Sequence, residues 1–168
     1  MSVRKYVNDF ANITGQEGSK ELYLTLIKEE LEEWEDEWSR GAEPEKELKE
    51  LSDLVYVIYG YARAADFIVI PEIVQENSAL KVVEAVDAWI EEYGCGSRKR
   101  EFKLLEIALG YIYNYARGKK WDLNEAVRRV HQNNVGRCVQ PDGTVKRRTD
   151  GKIIKNDKYP KVYLEDLV

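Results

Sequence analysis

Residues 20–40 read KELYLTLIKEELEEWEDEWSR, and this stretch decides the fold class. Leu22, Tyr23, Leu26, Ile27, Leu31, Trp34 and Trp38 recur every three to four residues, the period of one helix face. The intervening positions are almost all charged, so the segment is an amphipathic helix with one face committed to a core. Ser19 is placed as its N-cap, and Gly41-Ala42-Glu43-Pro44 breaks it. The same period recurs on either side. An apolar face of Val3, Tyr6, Val7, Phe10 and Ile13 marks a helix over about 3–13. Leu48, Leu51, Leu54, Val55, Ile58, Tyr59 and Ala62 mark another over about 45–65. Two more are predicted over about 71–93 and 97–117, split at Gly94-Cys95-Gly96, and a last over about 123–133. The tail holds turn signals at Pro141-Asp142-Gly143, Asp150-Gly151 and Tyr159-Pro160, with β-prone pieces at 144–147 and 152–154 that suit a small hairpin. The expected class is all-α, in a single domain spanning 1–168.

The chain also repeats itself faintly. At an offset of 54, residues 47–67 match 101–121 at 8 of 21 positions, most densely in IYGYAR (58–63) against IYNYAR (112–117). At an offset of 55 the preceding helices overlay, with Trp34 on Trp89 and Trp38 on Tyr93. This predicts a four-helix-bundle core made of two helical hairpins, 20–65 and 71–117, followed by a last helix and tail over 122–168.

Composition narrows the chemistry. Hydrophobic residues make up 43% and charged residues 34% of 168 positions, a soluble globular balance. No apolar run approaches the roughly 18 residues of a membrane span, and the N-terminus lacks a signal-peptide core. Membrane association is therefore not expected, and a cytoplasmic setting is. Cys95 and Cys138 show no paired spacing, which suits a reducing compartment and argues against structural zinc. His131 is the single histidine, so multi-histidine sites are excluded and it reads as structural. The net charge of −5 is divided: residues 137–161 carry eight Lys/Arg against three Asp, leaving −10 on the rest. An acidic body with a basic tail is a poor nucleic-acid binder but suits an anionic, metal-bound ligand.

The acids are patterned. Glu30 and Glu33 sit three apart within the second helix, and Glu50 and Asp53 three apart within the third, each pair on one helix face among apolar neighbours. Antiparallel packing would bring the two pairs together, a costly arrangement without a cation. All-oxygen ligands select Mg²⁺, with Mn²⁺ able to substitute. A solvated acidic face is the plainer reading, and Glu32, Glu35, Asp36 and Glu37 are that. In the second hairpin the four corresponding positions are Ala85, Ala88, Leu104 and Ile107, so the repeat packs without acids there.

The pair of motifs, EExxE at 29–33 and ExxD at 50–53, resembles the signature of the all-α, MazG-like nucleoside triphosphate pyrophosphohydrolases. That superfamily includes phosphoribosyl-ATP pyrophosphohydrolase and the dimeric dUTPases. The stretches VHQNN (130–134) and DGKIIK (150–155) resemble the tail of one of its subgroups. The resemblance implies Mg²⁺-dependent cleavage of a nucleoside triphosphate, probed best with deoxynucleotides, between the α- and β-phosphates. It implies metal ligands at Glu30, Glu33, Glu50 and Asp53, with Glu29 or Glu33 as the proton acceptor. Asn134, Arg137, Lys152 and Lys155 become substrate contacts, against the plainer reading of a solubilising basic surface loop. Trp34, beside the acids, becomes a wall of the nucleotide pocket, although a tryptophan is more often core. The tail departs from relatives where NNVGR (133–137) replaces a Ser-Asn-Met-Ser-Lys run. Phosphoribosyl-ATP hydrolysis and a non-catalytic helical interaction module are the alternatives. A homodimer is expected, because the aromatic faces left over by one bundle still need cover.

Overall fold

The computed structural model describes residues 3–149, 153–156 and 158–168. Among them the regular structure is helical: α1 (Val3–Thr14), α2 (Lys20–Ser39), α3 (Pro44–Ala64), α4 (Ala79–Glu92), α5 (Arg98–Lys119) and α6 (Leu123–Cys138), then a short 3-10 turn at Glu165–Leu167. The Ser19 hydroxyl accepts the Leu22 N–H at 3.1 Å and so caps α2 as its sequence predicts. Pro44 opens α3 in the first turn, where its missing N–H costs nothing.

α2 packs against α3 and α4 against α5, and the two hairpins join through α2 with α4 and α3 with α5. The contacts at their junction are reciprocal. The Tyr115 hydroxyl on α5 donates to Glu47 Oε1 on α3 at 2.6 Å, and the Tyr61 hydroxyl on α3 donates to Glu101 Oε1 on α5. These are the partners related by the 54-residue offset. Trp34 meets Tyr115 edge-on at 5.6 Å between centroids, and Trp89 meets Tyr61 edge-on at 4.7 Å. Tyr61 further touches Phe67 as Tyr115 touches Trp121. The faint sequence repeat thus corresponds to an approximate twofold relation in the packing.

α1 and α6 lie outside this pairing and pack on α3 and on each other. That makes α3 the central helix, with Leu48, Leu51, Leu54, Val55, Ile58 and Tyr61 buried along it. No helix among the described residues is long and apolar enough to cross a membrane.

Three boundaries differ from the sequence reading. The helix expected from residue 71 begins at Ala79, and the chain before it is a non-helical strap bonded to α5. The Glu72 N–H bonds to the Glu106 carbonyl at 2.9 Å, and Asn114 Nδ2 donates to the Glu76 carbonyl at 2.7 Å. Gly110 makes room for this strap: a Cβ there would lie 2.4 Å from the Glu72 carbonyl oxygen. α6 continues past residue 133 to Cys138, and Gly136 within it gives the Tyr159 ring a flat seat. The expected hairpin is reduced to isolated antiparallel bridges, Val139 with Val145 and Arg147 with Ile153.

Candidate metal centre

Glu30 lies on the face of α2 that carries Ile27, Leu31 and Trp34 into the core, and Glu50 and Asp53 lie one turn apart on α3. The antiparallel hairpin brings them together: one carboxylate oxygen from each of Glu30, Glu50 and Asp53 falls within 4.8 Å of the other two. All three are partly buried; the side chains of Glu50 and Asp53 are 14% and 16% exposed. Glu33, expected as a fourth member, is exposed and stands outside this group. Its charge still acts on Glu30 and Glu50. Glu29 is exposed as well.

The electrostatics follow from the crowding. Burial, then the neighbouring Asp53, Glu33 and Glu50, pushes the Glu30 carboxyl up to about 8. Burial likewise raises Glu50, against the lowering effect of its Lys49 partner. Lys49 Nζ donates to Glu50 Oε1 at 2.8 Å and Oε2 at 2.9 Å, and to Asp53 Oδ2 at 3.0 Å. Burial works to lower the Lys49 ammonium, but Asp53 and Glu50 outweigh it and hold it above its ordinary value. The sequence reading passed over Lys49. Its signal was the i, i+4 spacing to Asp53, a favourable helical ion-pair register.

The donor set fits a hard divalent cation. Three carboxylates converge from two helices, the Glu30 carboxyl is raised by burial and then by its acidic neighbours, and a single ammonium stands against them. Mg²⁺ and Mn²⁺ take such all-oxygen sites and keep several waters.

The corresponding place in the second hairpin is apolar. Ala85 is buried there, and Leu104 and Ile107 pack against the core.

The remaining predicted contacts are spread more widely. Trp34 is wholly buried, stacked on Trp38 at 6.0 Å, and belongs to the hydrophobic core. Asn134 is half-buried on α6. The Arg137 carbonyl accepts the Asn156 N–H at 2.7 Å, which folds the tail back over the end of α6. Arg147 donates to the Thr14 carbonyl and ties the tail to α1. Lys155 is exposed, and with Arg137 and Arg147 it acts on the buried Cys138 thiol, which burial pushes up. Lys152 falls outside the described residues.

Tyr56 stands one turn beyond Asp53 and connects the two regions. Its hydroxyl is within electrostatic reach of both Asp53 and Cys138, and lies 3.0 Å from His131 Nδ1. His131 is buried and stacked on Tyr6 at 4.9 Å, in a structural position. An open cleft of about 580 Å³ between α1 and α6 is lined by Asp9, Asn12, His131 and Tyr159 and includes none of the three acids.

No protein-family model matches the chain, and neither characterised proteins nor solved structures return a match.

Proposed function

We propose that the chain is a Mg²⁺-dependent nucleoside triphosphate pyrophosphohydrolase, built on a duplicated four-helix bundle with one working hairpin. The observation that carries this reading is the convergence of Glu30, Glu50 and Asp53. Glu30, Glu50 and Asp53 would hold the ion, with Glu33 at the exposed rim completing the set. A bound Mg²⁺ would offset charge on the phosphates and acidify water. Glu29 and Glu33, both exposed beside the cluster, are the carboxylates able to accept the proton of the attacking water. The basic tail supplies Arg137 and Lys155 as phosphate partners, Arg with a planar fork and Lys as a point charge. Asn134 offers a paired donor and acceptor for a sugar or base edge. The expected setting is the cytoplasm, with the working form a homodimer.

A second reading has one observation behind it. Lys49 already pairs with both Glu50 and Asp53, as a structural ion-pair cluster in a non-catalytic helical module would. Product analysis separates the two. ³¹P NMR of ribo- and deoxynucleoside triphosphates, and of phosphoribosyl-ATP, incubated with protein and Mg²⁺ should show a monophosphate product and pyrophosphate. Release of orthophosphate and a diphosphate, or no turnover of any of them, would contradict the proposal.

A further inference from the structure

We propose that Lys49 is a tethered counter-cation that competes with the divalent ion for Glu50 and Asp53, and so sets the metal affinity of the site. The inference rests on the metal-centre reading above. An ammonium has three donors and no acceptor. All three contacts of Lys49 Nζ go to carboxylate oxygens of this cluster, at 2.8, 2.9 and 3.0 Å. A Mg²⁺ ion needs oxygens at about 2.0–2.1 Å. An ammonium hydrogen-bonded to these carboxylates and a divalent cation drawn to the same carboxylates repel each other at close range, so each weakens the other's hold on Glu50 and Asp53.

The side chain is able to leave. It is 41% exposed, against 14% for Glu50, and its flexible stem can carry the charge to another partner. The second hairpin shows the alternative. Lys103, at the corresponding register, follows Glu101 as Lys49 follows Glu47, but the positions matching Glu50 and Asp53 are Leu104 and Ile107, leaving Glu72 and Glu106 as the acids that act on it. There the ammonium turns to Glu72 on the strap. A lysine at this register thus takes whichever anion is at hand. Beside a metal-bound triphosphate the nearest new anion is a phosphate. Lys49 accordingly holds the acids together while no metal is bound, weakens binding of the bare ion, and is released when metal and nucleotide arrive together.

The test is Mn²⁺ binding without nucleotide, followed by the EPR signal of the free ion, in wild type, Lys49→Met and Lys49→Gln. Asp53→Asn marks the site, and Lys46→Met, which loses an exposed pair with Glu43, serves as the surface-charge control. Both Lys49 variants should bind Mn²⁺ several-fold more tightly than wild type, up to about fivefold for each of the two competing ion pairs lost. In EDTA they should melt below wild type, and saturating Mn²⁺ should remove the difference. Unchanged or weaker binding in both Lys49 variants, with binding still lost in Asp53→Asn, would overturn the role of Lys49 and leave the metal centre standing. Equal tightening in Lys46→Met would overturn it too. If none of the proteins binds Mn²⁺, the metal centre falls together with this inference.

Discussion

Glu30 carries the sharpest consequence of the site's electrostatics. Its folded carboxyl sits at about 8, above its ordinary 4.5, because of burial and then three acidic neighbours. Between those two values the folded state holds a proton that the unfolded state has released, so stability falls as pH rises through that window. In EDTA the thermal midpoint should therefore drop between about pH 4.5 and 8, and saturating Mg²⁺ should flatten the profile. Glu30→Gln should shrink the drop by leaving a neutral group in place, with Glu50, also raised by burial, supplying what remains. A wild-type profile without this drop in EDTA would contradict the burial and crowding described here. At this scale the sequence was legible where spacing alone decided the outcome. Glu50 and Asp53 share a face because they are three apart, and Glu30 joins them because the hairpin is short. Glu33 was harder to place. It has the same three-residue spacing from Glu30, some 60° round the helix, and spacing alone does not say which of the two turns toward α3. The packing of the hairpin leaves Glu33 exposed. Trp34 went the other way, since a tryptophan beside acids on an amphipathic helix belongs to the buried stripe.

Between elements, the reciprocal Glu–Tyr bonds join the two hairpins at unequal depth. Glu47 is buried, whereas Glu101 is only half-buried. Tyr115→Phe leaves the Glu47 carboxyl short of a donor away from water, which should cost about 1–3 kcal/mol. Tyr61→Phe should cost less, because water can reach Glu101. Urea denaturation of the two variants measures the difference, and equal losses would contradict the asymmetry. Gly110→Ala tests the strap that crosses α5. Its new Cβ would press on the backbone carbonyl of Glu72, which no side-chain rotation relieves. A loss of about 1–3 kcal/mol is expected from such overpacking, and an unchanged denaturation midpoint would show that the strap yields freely. The strap was the least legible element of the sequence. Both Pro71 and Ser78 are helix-start residues, and periodicity continues upstream of Ala79. What decides for Ser78 is the hydrogen bonding of the 70–76 backbone to α5, a tertiary effect that local pattern does not contain. The extra turn of α6 was hidden for a similar reason, since it carries Gly136, against which Tyr159 from the tail packs.

Across the whole molecule, two features of the repeat stand apart. Trp34 and Trp89, at corresponding places in the two hairpins, both bury an indole N–H without an acceptor among the described residues. The acids, by contrast, belong to one hairpin only. The packing, the Glu–Tyr bonds and the lysine at 49 and 103 are shared between the halves, while the acids at 30, 33, 50 and 53 are not, as the proposal of one working site in a duplicated frame expects. The surface carries one further apolar feature. Ile68, Ile70 and Ile73 on the strap are 69%, 69% and 91% exposed, more than scattered surface residues explain. If the homodimer forms through this strip, Ile73→Lys should shift the mass seen by light scattering toward the monomer without lowering the thermal midpoint in EDTA. A monomeric wild type would contradict the proposed assembly. The central claim, that Glu30, Glu50 and Asp53 form a metal centre for pyrophosphate release, is tested most directly by one assay. Pyrophosphate release from deoxynucleoside triphosphates is followed against Mg²⁺ concentration, with an EDTA blank, in wild type and Asp53→Asn. The account predicts saturable, metal-dependent release in wild type and a loss of at least about a hundredfold in Asp53→Asn, the scale on which removing one electrostatic contact to the transition state acts. Release that persists in EDTA, or that survives Asp53→Asn undiminished, would contradict it.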